Sequence, residues 1–120
     1  MSWLAKWFRN TTPAWNWVSA QELQARLAQS PAPRLVDVRG PEEFHGPEGH
    51  VPGAENRPMA EVLTNPASLA QEARPIVLIC LTQIRSSKAA DAPAAAGVRQ
   101  LSVLQGGMKG WQAAGLPVQR

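Results

Sequence analysis

Ile76-Val77-Leu78-Ile79-Cys80-Leu81-Thr82-Gln83-Ile84-Arg85-Ser86 is the stretch on which the reading of this 120-residue chain turns. Its first five residues are a continuous apolar run, rich in β-branched side chains and preceded by Pro75. A run of this kind reads as a parallel strand buried on both faces. A polar loop follows, then a helix expected from about Ser86 to Ala96 and ended by Gly97. Pro93 should kink or shorten that helix. Cys80 therefore stands at the carboxyl end of a strand, which is where open α/β sheets bind their ligands. If the loop wraps tightly, its N–H groups and the helix N-terminus converge on the sulfur and stabilise an anion. The thiolate is the nucleophilic form of cysteine, so such a cradle suits chemistry at Cys80. The competing reading is a thiol that packs as a small buried hydrophobe. Arg85, five positions on and leading into a helix, weighs against it.

Outward from this stretch, strands and helices alternate. Ser19-Ala20-Gln21-Glu22 reads as a capping box opening a helix with Leu23 and Leu27 on its apolar face. Arg34–Val38 is a short strand, and Pro41-Glu42-Glu43-Phe44 a proline-started helical turn. His50–Ala54 is loop and leads into a brief strand near Glu55-Asn56. Residues 59–73 look helical with an interruption around Asn65-Pro66. Gln100–Leu104 is a further strand, and Gly106-Gly107 turns the chain into a last helix through Trp111 that closes at Gly115. No repeat recurs at periods of 20–50 residues. The pattern predicts an α/β fold, a mainly parallel sheet of about five strands with helices on both faces.

Composition sets the limits. At 13.0 kDa the chain suffices for one core. One cysteine excludes an internal disulfide and zinc sites built on several cysteines, and two histidines, His45 and His50, leave little room for a histidine metal site. No metal and no cofactor is expected. Residues 71–120 hold six basic and two acidic residues, which favours a small-anion site. No Lys/Arg run is interleaved with aromatics there, so nucleic acid is not an expected partner. No apolar run reaches the length of about 18 residues needed to span a membrane. MSWLAKWFRN lacks the pattern of a secretory signal, so the expected location is cytoplasmic. Residues 1–17 form a Trp-rich N-terminal segment apart from the domain at 18–120. Trp3, Leu4, Trp7 and Phe8 would share one helical face, read first as an apolar cover folded back on the domain. A self-association surface comes second and membrane-surface binding last.

Three signatures in order resemble the single-domain rhodanese family of sulfur-transferring proteins over roughly residues 17–118. The first is Asp37-Val38-Arg39, then Glu43-Phe44, Gly49-His50-Val51-Pro52-Gly53-Ala54, Asn56 and Pro58. The second is Cys80 with Arg85 and Ser86, and the third Gly106-Gly107 with Trp111. The resemblance implies a rhodanese-like fold and a sulfurtransferase with Cys80 as nucleophile and persulfide carrier. It also implies a substrate cradle of Leu81, Thr82, Gln83, Ile84, Arg85 and Ser86. The partners implied are a small anionic sulfur donor such as thiosulfate and a thiol, cyanide or protein acceptor. Asp37 and Arg39 read as supporting residues, an ion-pair network holding loops near the mouth of the site. His50 reads as loop architecture and Trp111 as core. Four residues between Cys80 and Arg85 match sulfurtransferases, one fewer than in the related cell-cycle phosphatases. The loop departs from the family pattern at Leu81, where an arginine is common, and at Gln83, where a glycine is common. Those departures predict a weaker thiosulfate site and, if the fourth position needs a positive φ, a strained Gln83. The alternative function is a noncatalytic sulfur-sensing or protein-interaction module.

Overall fold

The computed structural model describes residues 14–71 and 73–120. The elements follow in the order β1 (Asn16–Val18), α1 (Ala20–Leu27), β2 (Arg34–Asp37), α2 (Pro41–Phe44), β3 (Glu55–Asn56) and α3 (Met59–Thr64). A 3-10 helix (Pro66–Gln71) leads to β4 (Ile76–Ile79), α4 (Ile84–Ala95), β5 (Leu101–Leu104) and α5 (Gly107–Ala113). The strands make one five-stranded sheet in the order β1-β5-β4-β2-β3, every pairing parallel. This is the α/β architecture expected.

Strand alternation sorts the core into two layers. On β4, Ile76 and Leu78, followed by Cys80, join Val62 of α3, Leu69 and the α4 residues Ala89 and Ala90. Val77 and Ile79 join Ala20 and Leu23 of α1 and Met108 and Trp111 of α5. All four β4 residues are buried, as a central strand covered on both faces requires. Local signals hold the helices. Ser19 and Glu22 form the capping box of α1, and Pro93 falls in the last turn of α4, two residues before its end. Trp111 is 1% exposed and donates its indole N–H to Pro117 O at 2.7 Å, so it is core.

The sequence reading gave no strand before Ser19, yet Asn16–Val18 pair with Ser102–Leu104 as the edge strand β1. Trp15 packs half-buried on the first core layer and donates Nε1–H to Asp91 at 3.0 Å. The helical face of Trp3, Leu4, Trp7 and Phe8 lies outside the described residues. Among the described residues, no helix is long and apolar enough to cross a membrane.

The tightest backbone approach is at Gly107, with φ +57°. A Cβ there would fall 2.5 Å from Cys80 O and closer still to Thr82 O. Gly107→Ala should cost about 3 kcal/mol, from the left-handed backbone plus a clash with main chain that cannot turn aside. Gly53→Ala is the control: φ is +87°, but nothing lies within 4 Å, so only the conformational term of about 1 kcal/mol remains. Urea unfolding of both variants checks the difference.

Candidate active site

Because β4 and β2 are neighbours in the sheet, the loops leaving their carboxyl ends lie side by side. Cys80 is the first residue past β4 and is 1% exposed. Its Sγ lies 3.1 Å from Ser86 Oγ and accepts the Ser86 N–H at 3.4 Å. Ser86 is fully buried and is the third residue of α4. The first N–H groups of a helix have no acceptor within it, and the dipole makes that end positive. Gln83, at the N-cap position, makes no side-chain cap bond. The Cys80 sulfur thus stands where a capping side chain normally would. Of the loop amides expected around the sulfur, Ser86 is the one that bonds to it.

The other side of the loop is strapped to α5. Cys80 O accepts from Met108 N at 2.9 Å, and Leu81 O accepts from Lys109 N at 3.0 Å. Gly106 N donates to Gln83 Oε1 at 2.9 Å. These bonds turn the loop carbonyls toward the start of α5. Gln83 does not take the positive φ that would favour a glycine: its φ is −173°. No described non-glycine residue has a positive φ. The expectation of a strained Gln83 is therefore corrected, and its side chain is a strap. Leu81 packs half-buried against the second core layer, so its side chain belongs to the core. Thr82 and Ile84 are exposed, Ile84 by 61%.

Arg85 does not stand open. Its Nη1 and Nη2 donate to Glu43 Oε1 and Oε2 at 2.7 and 2.9 Å, a bidentate pair between α4 and α2. This bond raises the Arg85 pKa against the opposing effect of burial; Cys80 and Asp37 add smaller contributions. The same guanidinium holds the Glu43 carboxyl below its ordinary value, again with burial opposing. The sequence places Glu43 in a helical turn and in a signature, but does not single it out as a site residue. Its partner lies 42 residues away, and no local signal reports that contact.

Asp37 and Arg39 are both fully buried. Arg39 Nε and Nη2 donate to the two Asp37 carboxylate oxygens at 2.9 and 2.8 Å, and Nη2 also reaches Gly49 O at 2.7 Å. Nη1 is buried without a partner. Asn56 Nδ2 donates to Asp37 O and Arg39 O at 3.1 and 2.8 Å. The pair ties the loop after β2 to the turn at Gly49. His50 is stacked on Phe44 with ring centroids 3.6 Å apart, and its Nδ1–H donates to Phe44 O at 2.7 Å. It is loop architecture.

The profile of the rhodanese-like domain matches residues 19–114. An uncharacterized protein of Synechocystis, slr1261, is 40% identical over 93 residues, 77% of this chain and 50% of that protein. The chain thus spans half the length of this curated relative. The crystal structure of the Alr3790 protein from Anabaena superposes with a TM-score of 0.73 at 32% identity, covering 85% of this chain and 80% of that one. A thiosulfate sulfurtransferase from Pseudomonas aeruginosa superposes with a TM-score of 0.72 at 25% identity, covering 88% of this chain and 20% of that one.

The Glu43–Arg85 pair makes stability depend on pH. A carboxyl held below its unfolded value of 4.5 contributes stability above that value and loses it as pH falls through the lowered one. Both side chains are more than a third exposed, so solvent screening limits the pair to about 0.5 kcal/mol. Glu43→Gln should therefore unfold slightly more easily than the parent at pH 7. The difference should vanish in acid, once the pH has fallen through the lowered value and the parent carboxyl is itself protonated. Denaturant titrations at the two pH values check this.

Proposed function

The chain belongs to the rhodanese-like domain family, and from that premise we propose that it is a sulfurtransferase carrying sulfane sulfur on Cys80. The observation that supports this most is the seating of the Cys80 sulfur at the N-terminus of α4, with the N–H and hydroxyl of Ser86 on it. Donors fixed on a sulfur before reaction stabilise it as it takes and gives up negative charge.

In the first half-reaction the Cys80 thiolate attacks the outer sulfur of a donor such as thiosulfate. A bond forms between Sγ and that sulfur, the donor's S–S bond breaks, and the electron pair leaves with sulfite. Cys80 is left as a persulfide. In the second, an acceptor nucleophile takes the outer sulfur and the electron pair returns to Sγ. Cyanide would leave as thiocyanate; a cellular thiol or a protein cysteine would leave as a persulfide. This is covalent catalysis in two halves, with ping-pong kinetics. The sequence contains one cysteine, so the persulfide passes to another molecule. Arg85 is the cation of the loop, and Asp37 with Arg39 supports the neighbouring loop. The backbone from Leu81 to Ser86 surrounds the transferred atom, with Thr82 and Ile84 at its rim and Gln83 holding it to α5. A nucleophilic free thiol suits a reducing compartment, so this reading places the protein in the cytoplasm.

A noncatalytic sulfur-sensing or interaction module is the second reading, and the burial of Cys80 favours it. One assay separates the two. Cyanide-dependent thiocyanate release from thiosulfate should be measurable with the parent. In Cys80→Ser it should fall to background, with the circular dichroism spectrum unchanged, because oxygen cannot carry sulfane sulfur. Release that persists in that variant contradicts the mechanism, and no release from any sulfane donor in the parent favours the module.

A further inference from the structure

We propose that Glu43 is a specificity-determining residue: its carboxylate fills the fork of Arg85 and turns the site from inorganic dianions toward sulfane sulfur on an organic thiol of at most one negative charge. This rests on the sulfurtransferase reading above.

Arg85 is the only basic residue from Cys80 to Ser86. A guanidinium recognises an oxyanion through parallel N–H groups, and here Nη1 and Nη2 already hold Glu43 at 2.7 and 2.9 Å. A thiosulfate ion must displace that carboxylate or approach a neutral pair. The first turn of α2 also carries Glu42, which is exposed and adds a second negative charge. Arg39 does not restore the balance, since it is fully buried and paired with Asp37. Lys88 of α4 and Lys109 of α5 are exposed, and water and salt screen their charges. The loop's rim is uncharged: Thr82 is exposed, Ile84 is 61% exposed, and Gln83 is engaged with Gly106. Leu81 is held in the core. An exposed isoleucine beside a compensated arginine offers apolar contact to a carbon-bearing donor and little attraction to a dianion.

The chemistry balances for such a donor. The Cys80 thiolate attacks the terminal sulfur of R–S–SH, the Sγ–S bond forms as the donor S–S bond breaks, and the electron pair leaves on R–S⁻. Cys80 retains the transferred sulfur with its proton.

Single-turnover loading of Cys80, followed by intact mass, tests the inference with two donors: the thiosulfate dianion and 2-hydroxyethyl persulfide, which carries at most one negative charge. The parent should load faster from the persulfide at equal concentration. Glu43→Gln should raise the thiosulfate rate constant about fivefold, the effect of freeing one partly exposed charge, with the persulfide rate nearly unchanged. Glu43→Ala, folded by the same thermal criterion as the parent, should show the same shift in ratio. If both variants load from the persulfide but their thiosulfate rates stay level or fall, Glu43 does not set donor charge, and Cys80 remains the carrier. If the parent loads from neither donor, the sulfurtransferase reading fails and takes this inference with it.

Discussion

The backbone of Gly107 lies so close to the Cys80–Thr82 segment that no side chain fits between them. The site depends on that approach. It lets the first N–H groups of α5 bond to the carbonyls of Cys80 and Leu81. With its carbonyls turned that way, the loop crosses from β4 to α4 in few residues. The short crossing in turn brings Ser86 back onto the sulfur. A wider separation between the loop and α5 would release the carbonyls, lengthen the path and leave the start of α4 without the group that now caps it. The glycine pair and the cysteine are thus two parts of one device, although 26 positions separate Cys80 from Gly106.

Around this device, charges are matched rather than concentrated. Asp37 and Arg39 are paired in a fully buried position, and Glu43 and Arg85 are paired at the surface. The two pairs act differently. Burial makes the first intolerant of losing one partner, since the other would remain as an uncompensated charge. It serves as fixed support for the loops after β2 and before β3. The second is exposed enough for solvent and ligands to compete with it. On the function proposed above, recognition of an incoming group falls to the pair that can open, while the pair that cannot open keeps the frame.

Much of this was legible in the sequence because the signals are local. The Ile76–Ile79 run, the Ser19–Glu22 capping box and the interruption at Asn65-Pro66 each declare an element through their own neighbours. The place of Cys80 followed from the run before it and the helix after it. What was not legible depends on partners far along the chain. β1 is three residues long and is defined by pairing with β5, which follows more than 80 residues later. The strap from Gln83 to Gly106 and the pair between Arg85 and Glu43 are contacts of the folded state alone. Leu81 occupies a position read as part of the donor site, but its side chain is claimed by the second core layer. Sequence pattern marked the loop; tertiary packing assigned the duty of each side chain within it.

The decisive experiment is a crystal structure of the protein after treatment with a sulfane-sulfur donor. One additional sulfur atom should be bonded to Cys80 Sγ, lying at the N-terminus of α4 within hydrogen-bond reach of its first N–H groups, with Met108 and Lys109 still bonded to the loop carbonyls. An unmodified Cys80, or a persulfide turned away from α4 into solvent, would contradict it.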